Sequence, residues 1–395
     1  MRVPQFTYLD LIAQRIEAIR ADLPRLTRLG EAMAASLVAG GRIFTPDVTT
    51  WWPSEFMNRA GGMMGLPPAT YVAQSENDVA FIALPDPRHW NPAQDERFRA
   101  LLKSPAKIVA IGPDTETGGA PRERFAGFTG GVAPTEGLGQ AKSIKPLAPL
   151  RPFDQLVRGW LTAGEMVAAC TRAGKMPVLW MSVWLEGAMV RNAHFFQHDN
   201  LREPWHVPLF HDAIYVPPIA PGRVATEFLA ELTKIHTVLH TQTQQIARAA
   251  GWMRESIAAG RRPSVVAVGH SYPMLLELQD ESSYPLAWSP SISDLRHAHP
   301  RTLGEGDVAL HLGYSPADVD DVRALLDRGI RFVYSSPYGR RAGLDDHPNL
   351  IWLDLPWRPG DATVDIPGYS VRLLPMSSSA HTMAYFAIVA ELAGG

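Results

Sequence analysis

The spacing of apolar positions divides this chain into alternating helical and extended segments. Within residues 8–40, Ile12, Ile16, Ile19 and Leu23 recur at the three-to-four interval of an amphipathic helix, and Pro24 should break or restart it. The short apolar runs RIFTP, TYVAQ, DVAFIAL and KIVAIG follow, separated by helical stretches or loops. That alternation predicts βαβ units and a parallel sheet. From Pro113 to Pro152 the chain is rich in Gly and Pro, which predicts a long irregular connection of the kind that often serves as a lid. FDQLVRGWLTAGEMVAACTRAG then predicts a long helix, and PVLWMSV a strand closing a first domain. Residues 185–222 form a second irregular stretch ending in YVPPIAPGR, the clearest boundary in the sequence. A helix is expected from about Thr226 to Gly260, followed by strands SVVAVG, DVALHLG and RFVYSS. The chain closes with VRLLPMSSSAHTMAYFAIVAEL, a strand running into an apolar helix. The expected fold class is α/β, with two tandem three-layer α/β/α domains of flavodoxin-like, mainly parallel sheets, over residues 1–215 and 223–395.

The two halves share a pattern. LGEAMAASLVAGGRIFTPDVTTWWPSEF and AAGWMRESIAAGRRPSVVAVGHSYPMLLEL lie roughly 220 residues apart. Each reads as a helix ending in Ala-Gly, a β-branched strand, a hydroxyl-bearing turn and a helix with a glutamate. Thr49 precedes Glu55 by the interval at which Ser271 precedes Glu277. NDVAFIAL and GDVALHLG repeat a second strand, each followed by a Pro-containing loop and a helix (FRALL and VDDVRALL). Such a repeat predicts an internal duplication.

Composition narrows the classes of function. Hydrophobic residues at 46% and charged residues at 19% are an ordinary globular balance. A net charge of −3 without a Lys/Arg-rich run gives nucleic-acid or anionic-membrane binding no electrostatic support. No apolar run is long enough to span a membrane, and the amphipathic, acid-bearing N-terminus is unlike a signal peptide. The lone Cys170, in an apolar helical stretch, excludes an internal disulfide and fits a reducing compartment; a cytoplasmic location is expected.

Taken together, these motifs resemble the sugar isomerase (SIS) domain family, in which one strand ends in a Gly-His-Ser-type turn and a second in a Ser/Thr-rich loop. Gly269-His270-Ser271 matches the first element. EFMNRAGG, from Glu55 to Gly62, resembles the Glu-x-x-x-Arg-Ala-Gly-Gly stretch of phosphoheptose-isomerase-like members. DVALHLGYSPADVDDVRALLDRGIRFVYSS resembles the second strand, loop, helix and third strand. The resemblance implies a sugar or sugar phosphate as ligand and isomerisation through an enediol. The chain also departs from the family. Where the family has Ser-x-Ser-Gly-x-Thr, this sequence has Gly313-Tyr314-Ser315-Pro316-Ala317-Asp318, which puts a negative charge where a phosphate donor is expected. The first-half counterpart, ALPDPRHWNP, has no hydroxyl, and PDVTT replaces Gly-His-Ser.

Isomerising an aldose to a ketose requires a base that moves a proton between adjacent carbons, a task for a glutamate of raised pKa or a histidine. Glu277 and its first-half counterpart Glu55 are the candidate bases. His381, at the start of the last helix, and His270, inside the turn, are candidates for ring opening. Ser271 and Ser315, each followed by a Pro-initiated helix, are candidate ligand contacts and equally candidate helix caps. Thr49, Thr50 and Arg59 from the first half, with Gly269, Ser377 and Ser378 from the second, complete the candidate ligand contacts; Arg59 is also spaced to pair with Glu55. His194 and His198, four apart and followed by Asp199, His206 and His211, are a weak zinc signal without an HExxH pattern, so neither metal nor cofactor is expected. Trp51, Trp52 and Trp90 could stack on a sugar face, although packing is the commoner fate of tryptophan. A non-catalytic sugar sensor is the competing class. The expected partner is a small sugar or sugar phosphate, neither nucleic acid nor membrane, with a homodimer as a further expectation.

Overall fold

The structure, a computed structural model, describes residues 7–49, 51–86, 90–117, 122–132, 137–138, 148–195, 207–267, 269–270, 286–289, 303–313, 318–340, 343–344 and 347–394. Helix α1 (Tyr8–Ala21) opens on a capping box, in which Thr7 accepts from the Asp10 amide and Asp10 from the Thr7 amide. Pro24 restarts the helix, standing in the first turn of α2 (Leu23–Val38), where no amide proton is needed. The chain continues through β1 (Ile43–Phe44), α3 (Trp51–Phe56), β2 (Val79–Ala83), α4 (Glu96–Lys103), β3 (Lys107–Ile111) and β4 (Phe125–Phe128). A short antiparallel pair, β5 (Gly137–Leu138) and β6 (Ala148–Pro149), leads into α5 (Arg151–Arg172) and then α6 (Ala188–Phe195). The second half comprises α7 (Arg223–His240), α8 (Thr243–Ala258), β7 (Ser264–Ala267), β8 (Ala287–Ser289), β9 (Val308–Leu312), α9 (Val319–Asp327), β10 (Arg331–Ser336) and β11 (Leu350–Asp354). The antiparallel pair β12 (Ala362–Val364) and β13 (Leu373–Pro375) precedes the final helix, α10 (Ser377–Gly394).

Two parallel sheets result, one in the order β1-β2-β3-β4 and the other in the order β11-β10-β9-β7-β8. All residues of β2 and β9 are buried, as expected of strands covered on both faces. One apolar core runs through both halves, taking in Ile12, Trp160, Phe228, Leu310 and Phe386. Helix α10 is apolar all round and buried from Ser377 to Val389, packed against α1, α5, α7 and α8. Close packing of α2 on α5 requires Gly30, where a Cβ would stand 2.7 Å from the Met166 amide.

The α/β class with mainly parallel sheets is as expected, and β2, β3, β7, β9 and β10 lie where the apolar runs placed them. The structure corrects several element expectations. TYVAQ forms no strand; Asp78 accepts from the Gln74 and Ser75 amides and holds that segment in a turn. PVLWMSV makes only isolated bridges, Leu179 with Met63 and Pro177 with Phe210. The stretch from Pro113 to Pro152 contributes β4 to the first sheet, and residues 185–222 contain α6. The helix expected from Thr226 to Gly260 is two helices, because the chain leaves helical geometry at Gln242. Helix α9 is capped at Asp318, whose side chain accepts from the Asp320 and Asp321 amides; Pro316, its expected start, lies outside the described residues.

Candidate active site

The candidate site is assembled around Glu55. Helix α3 ends in a turn with Asn58 in the left-handed region (φ 54°), a conformation Asn tolerates, and this returns Arg59 towards Glu55. Arg59 Nε lies 3.6 Å from Glu55 Oε1, with both side chains buried. From α5, Trp160 donates its indole N–H to the same oxygen at 3.0 Å while its ring stacks on Phe56. From α10, Ser378 Oγ lies 3.0 Å from Glu55 Oε2.

The second half closes the network. Arg59 Nη2 donates to Ser377 Oγ at 2.9 Å and to Ser378 Oγ at 2.7 Å, and stands 3.3 Å from Asp361 Oδ2. Asp361 is a buried non-glycine residue with φ 71°, a strained conformation of the kind that concentrates at functional sites. Its Oδ1 accepts from the amides of Met376 and Ser377, fixing the start of α10. Gly269, at φ 97°, makes the turn after β7 that carries His270, whose Nδ1–H donates to the Ser54 carbonyl at 3.2 Å. The carbonyl of His270 lies 2.5 Å from Ser378 Oγ.

Burial is the largest influence on Glu55 and raises its pKa to about 7, against the opposing effects of Arg59 and of hydrogen bonds from Trp160 and Ser378. Ser378 couples to that proton. Its single hydroxyl hydrogen can serve Glu55 or the His270 carbonyl, but not both. With Glu55 protonated, the carboxyl donates to Ser378 and Ser378 donates to the carbonyl, a continuous relay; with Glu55 ionised, Ser378 turns to the carboxylate. Burial lowers His270 to about 3, and burial followed by His311 and Arg59 lowers His381 to about 3. Both imidazoles are therefore neutral at physiological pH.

The structure brings Glu55, Arg59, His270, Ser377 and Ser378 into one network. His381 stands one turn along α10, edge-on to Trp357 and within electrostatic reach of Arg59. Thr49 is not part of it, because its hydroxyl donates to the Ala83 carbonyl at the end of β2. Glu277, Ser271, Ser315 and Thr50 lie outside the described residues, as do His198, Asp199 and His206 of the histidine cluster. His211 of that cluster bonds to Tyr369, and among the described residues no three potential ligands come together for a metal. Trp51 and Trp52 are buried in the core, and Trp90 packs on Phe98. Asp361 and Trp160 carry no sequence signal as site residues: the first reads as a turn after Pro359-Gly360, the second as one apolar position in a long helix.

In open α/β sheets ligands bind at the carboxyl edge of the strands. In the first sheet α5 fills that edge. Arg151 donates to the Leu84 and Pro85 carbonyls and pairs with Glu116 at 2.7 Å, while Gln155 donates to Leu84. The network around Glu55 instead adjoins the carboxyl end of β7, in the second sheet.

No protein-family model matches the chain, and no curated protein sequence does. Its structure is similar to the C-terminal domain of glucosamine-fructose-6-phosphate aminotransferase from Francisella tularensis, at 10% identity and a TM-score of 0.50, covering 100% of this chain and 97% of that one. It is also similar to tagatose-6-phosphate ketose/aldose isomerase from Escherichia coli, at 10% identity and a TM-score of 0.49, covering 100% and 94%. At such identities the likeness is one of fold, and the chain has the SIS-like α/β fold that its motifs resemble.

Proposed function

We propose that this protein is a sugar isomerase-like enzyme in which Glu55 moves a proton between adjacent carbons of an open-chain sugar through an enediol. The observation that carries the reading is Glu55 itself: a fully buried carboxyl poised near neutral pKa, gripped by Trp160 and Ser378 and joined through Ser378 to a relay. In this reading His270 and His381, as neutral imidazoles, assist ring opening, and Ser377, Ser378 and Arg59 orient the substrate hydroxyls. The correspondence of β2-α4-β3 with β9-α9-β10 supports an origin by duplication of one unit.

Glu55→Gln keeps the shape and removes the titratable carboxyl that would take up the proton. Its expected effect is a fall in turnover of about a hundredfold or more, with loss of substrate C–H exchange into deuterated water. A second reading, a non-catalytic sugar sensor, is favoured by the engagement of Arg59 Nη2 and Ser378 Oγ within the protein. Sugar binding without solvent exchange in the wild type would select it.

A further inference from the structure

The network around Glu55 has two devices for receiving an anion, and the protein uses both on its own carboxylates. The first is Arg59, which faces Glu55 and Asp361 together. The second is the start of α10, where the amides of Met376 and Ser377 already donate to Asp361 Oδ1. A phosphate placed there would have to displace Asp361 from both. The helix starts that follow β9 and β2 show the same substitution. Asp318 caps α9, and its first turn adds Asp320 and Asp321. Asp95 caps α4, accepting from the Phe98 amide, and its first turn adds Glu96. A helix start that follows a parallel strand is the usual seat of a phosphate, and at both positions an internal carboxylate sits there instead.

From this geometry we infer that the site takes an unphosphorylated sugar, a neutral polyhydroxylated molecule recognised through hydroxyl hydrogen bonds. The inference rests on the sugar reading above and narrows its substrate class. The neighbouring histidines offer no compensating charge: His270, His311 and His381 are all held neutral by burial. Among the described residues Arg59 is the cation inside the network, set against the carboxylates of Glu55 and Asp361, so a dianionic ester beside Arg59 would compete with two internal carboxylates for one guanidinium.

Calorimetric titration of the full chain with fructose, tagatose, glucose and galactose, each beside its own 6-phosphate, tests this, with inorganic phosphate as a separate probe. The expected result is a parent sugar binding about tenfold or more tighter than its 6-phosphate, and no competition by inorganic phosphate. A 6-phosphate binding as tightly as its parent, or more tightly, overturns the substrate class and leaves the sugar reading standing. Failure of every compound in both series removes the sugar reading and the inference with it. Asp318→Ser supplies an independent arm, because serine still caps α9 while removing the carboxylate that sits on its first amides. Inorganic phosphate should bind this variant more tightly than the wild type by about threefold or more; unchanged affinity would show that Asp318 is not what keeps phosphate away.

Discussion

Glu55 and Asp361 compete for one guanidinium, and that competition sets where the Glu55 proton resides. Asp361 raises the Glu55 pKa and Arg59 lowers it. Asp361→Asn keeps the Oδ1 acceptor for the start of α10 but leaves Glu55 as the one carboxylate facing Arg59 in the network. The Glu55 pKa in this variant should fall below about 7, moving the corresponding limb of a pH–rate profile to lower pH; an unmoved limb would refute the sharing. Linkage gives a second test. A carboxyl whose folded pKa is raised binds its proton more tightly in the native state, so its contribution is fully present below the unfolded value of 4.5 and is lost as pH rises through about 7. That loss amounts to about 3 kcal/mol by pH 8. About 1.3 kcal/mol of it falls between pH 6 and 8, so denaturant titrations at those two pH values should show that Glu55→Gln lacks this part, and identical pH dependence in both proteins would contradict it. At this scale the sequence was informative about identity and silent about environment. Glu55, Arg59 and His270 stand out by motif, whereas Asp361 is found only because a strained turn carries it to a residue about 300 positions earlier in the chain.

Elements are held here by carboxylates at helix starts and by close approach of backbones. Glu165 of α5 is fully buried and accepts from the amides of Gly222 and Ala225, binding the start of α7 to the first half. Glu165→Ala leaves the buried Ala225 amide and the part-buried Gly222 amide without their acceptor and should cost about 2–4 kcal/mol in chemical denaturation. At Gly30 two effects oppose each other. Replacing a helical glycine with alanine ordinarily gains about 1 kcal/mol, but the Cβ would meet backbone of α5 at 2.7 Å. Backbone cannot yield as a flexible side chain can, so the clash wins and Gly30→Ala should lower stability by about 2 kcal/mol or more; a gain would mean that α2 and α5 separate freely. Element types were legible wherever period and length agreed, as in α1, α5, β2 and β9. They failed where long-range pairing decides. The strand β4 has little apolar signal and is recruited into the sheet by β3, while PVLWMSV has the signal and finds no continuous partner.

At the scale of the molecule, the Glu55 network joins the halves: α3 and α5 from the first, the β7 turn, the turn before β12 and α10 from the second. The boundary near YVPPIAPGR marks where the sequence pattern restarts, yet the apolar core crosses it. Neither 1–215 nor 223–395, expressed alone, should therefore give a cooperative unfolding transition, while the full chain should. The claim on which the account depends is that Glu55 carries a proton near neutral pH inside this shared network. Infrared difference titration of the wild type against Glu55→Gln reads that proton directly through the carboxyl C=O stretch. The account predicts a protonated-carboxyl band, absent from the variant, that disappears with a midpoint at about 7. Absence of any such band above about pH 5, the range of an ordinary glutamate, would contradict it.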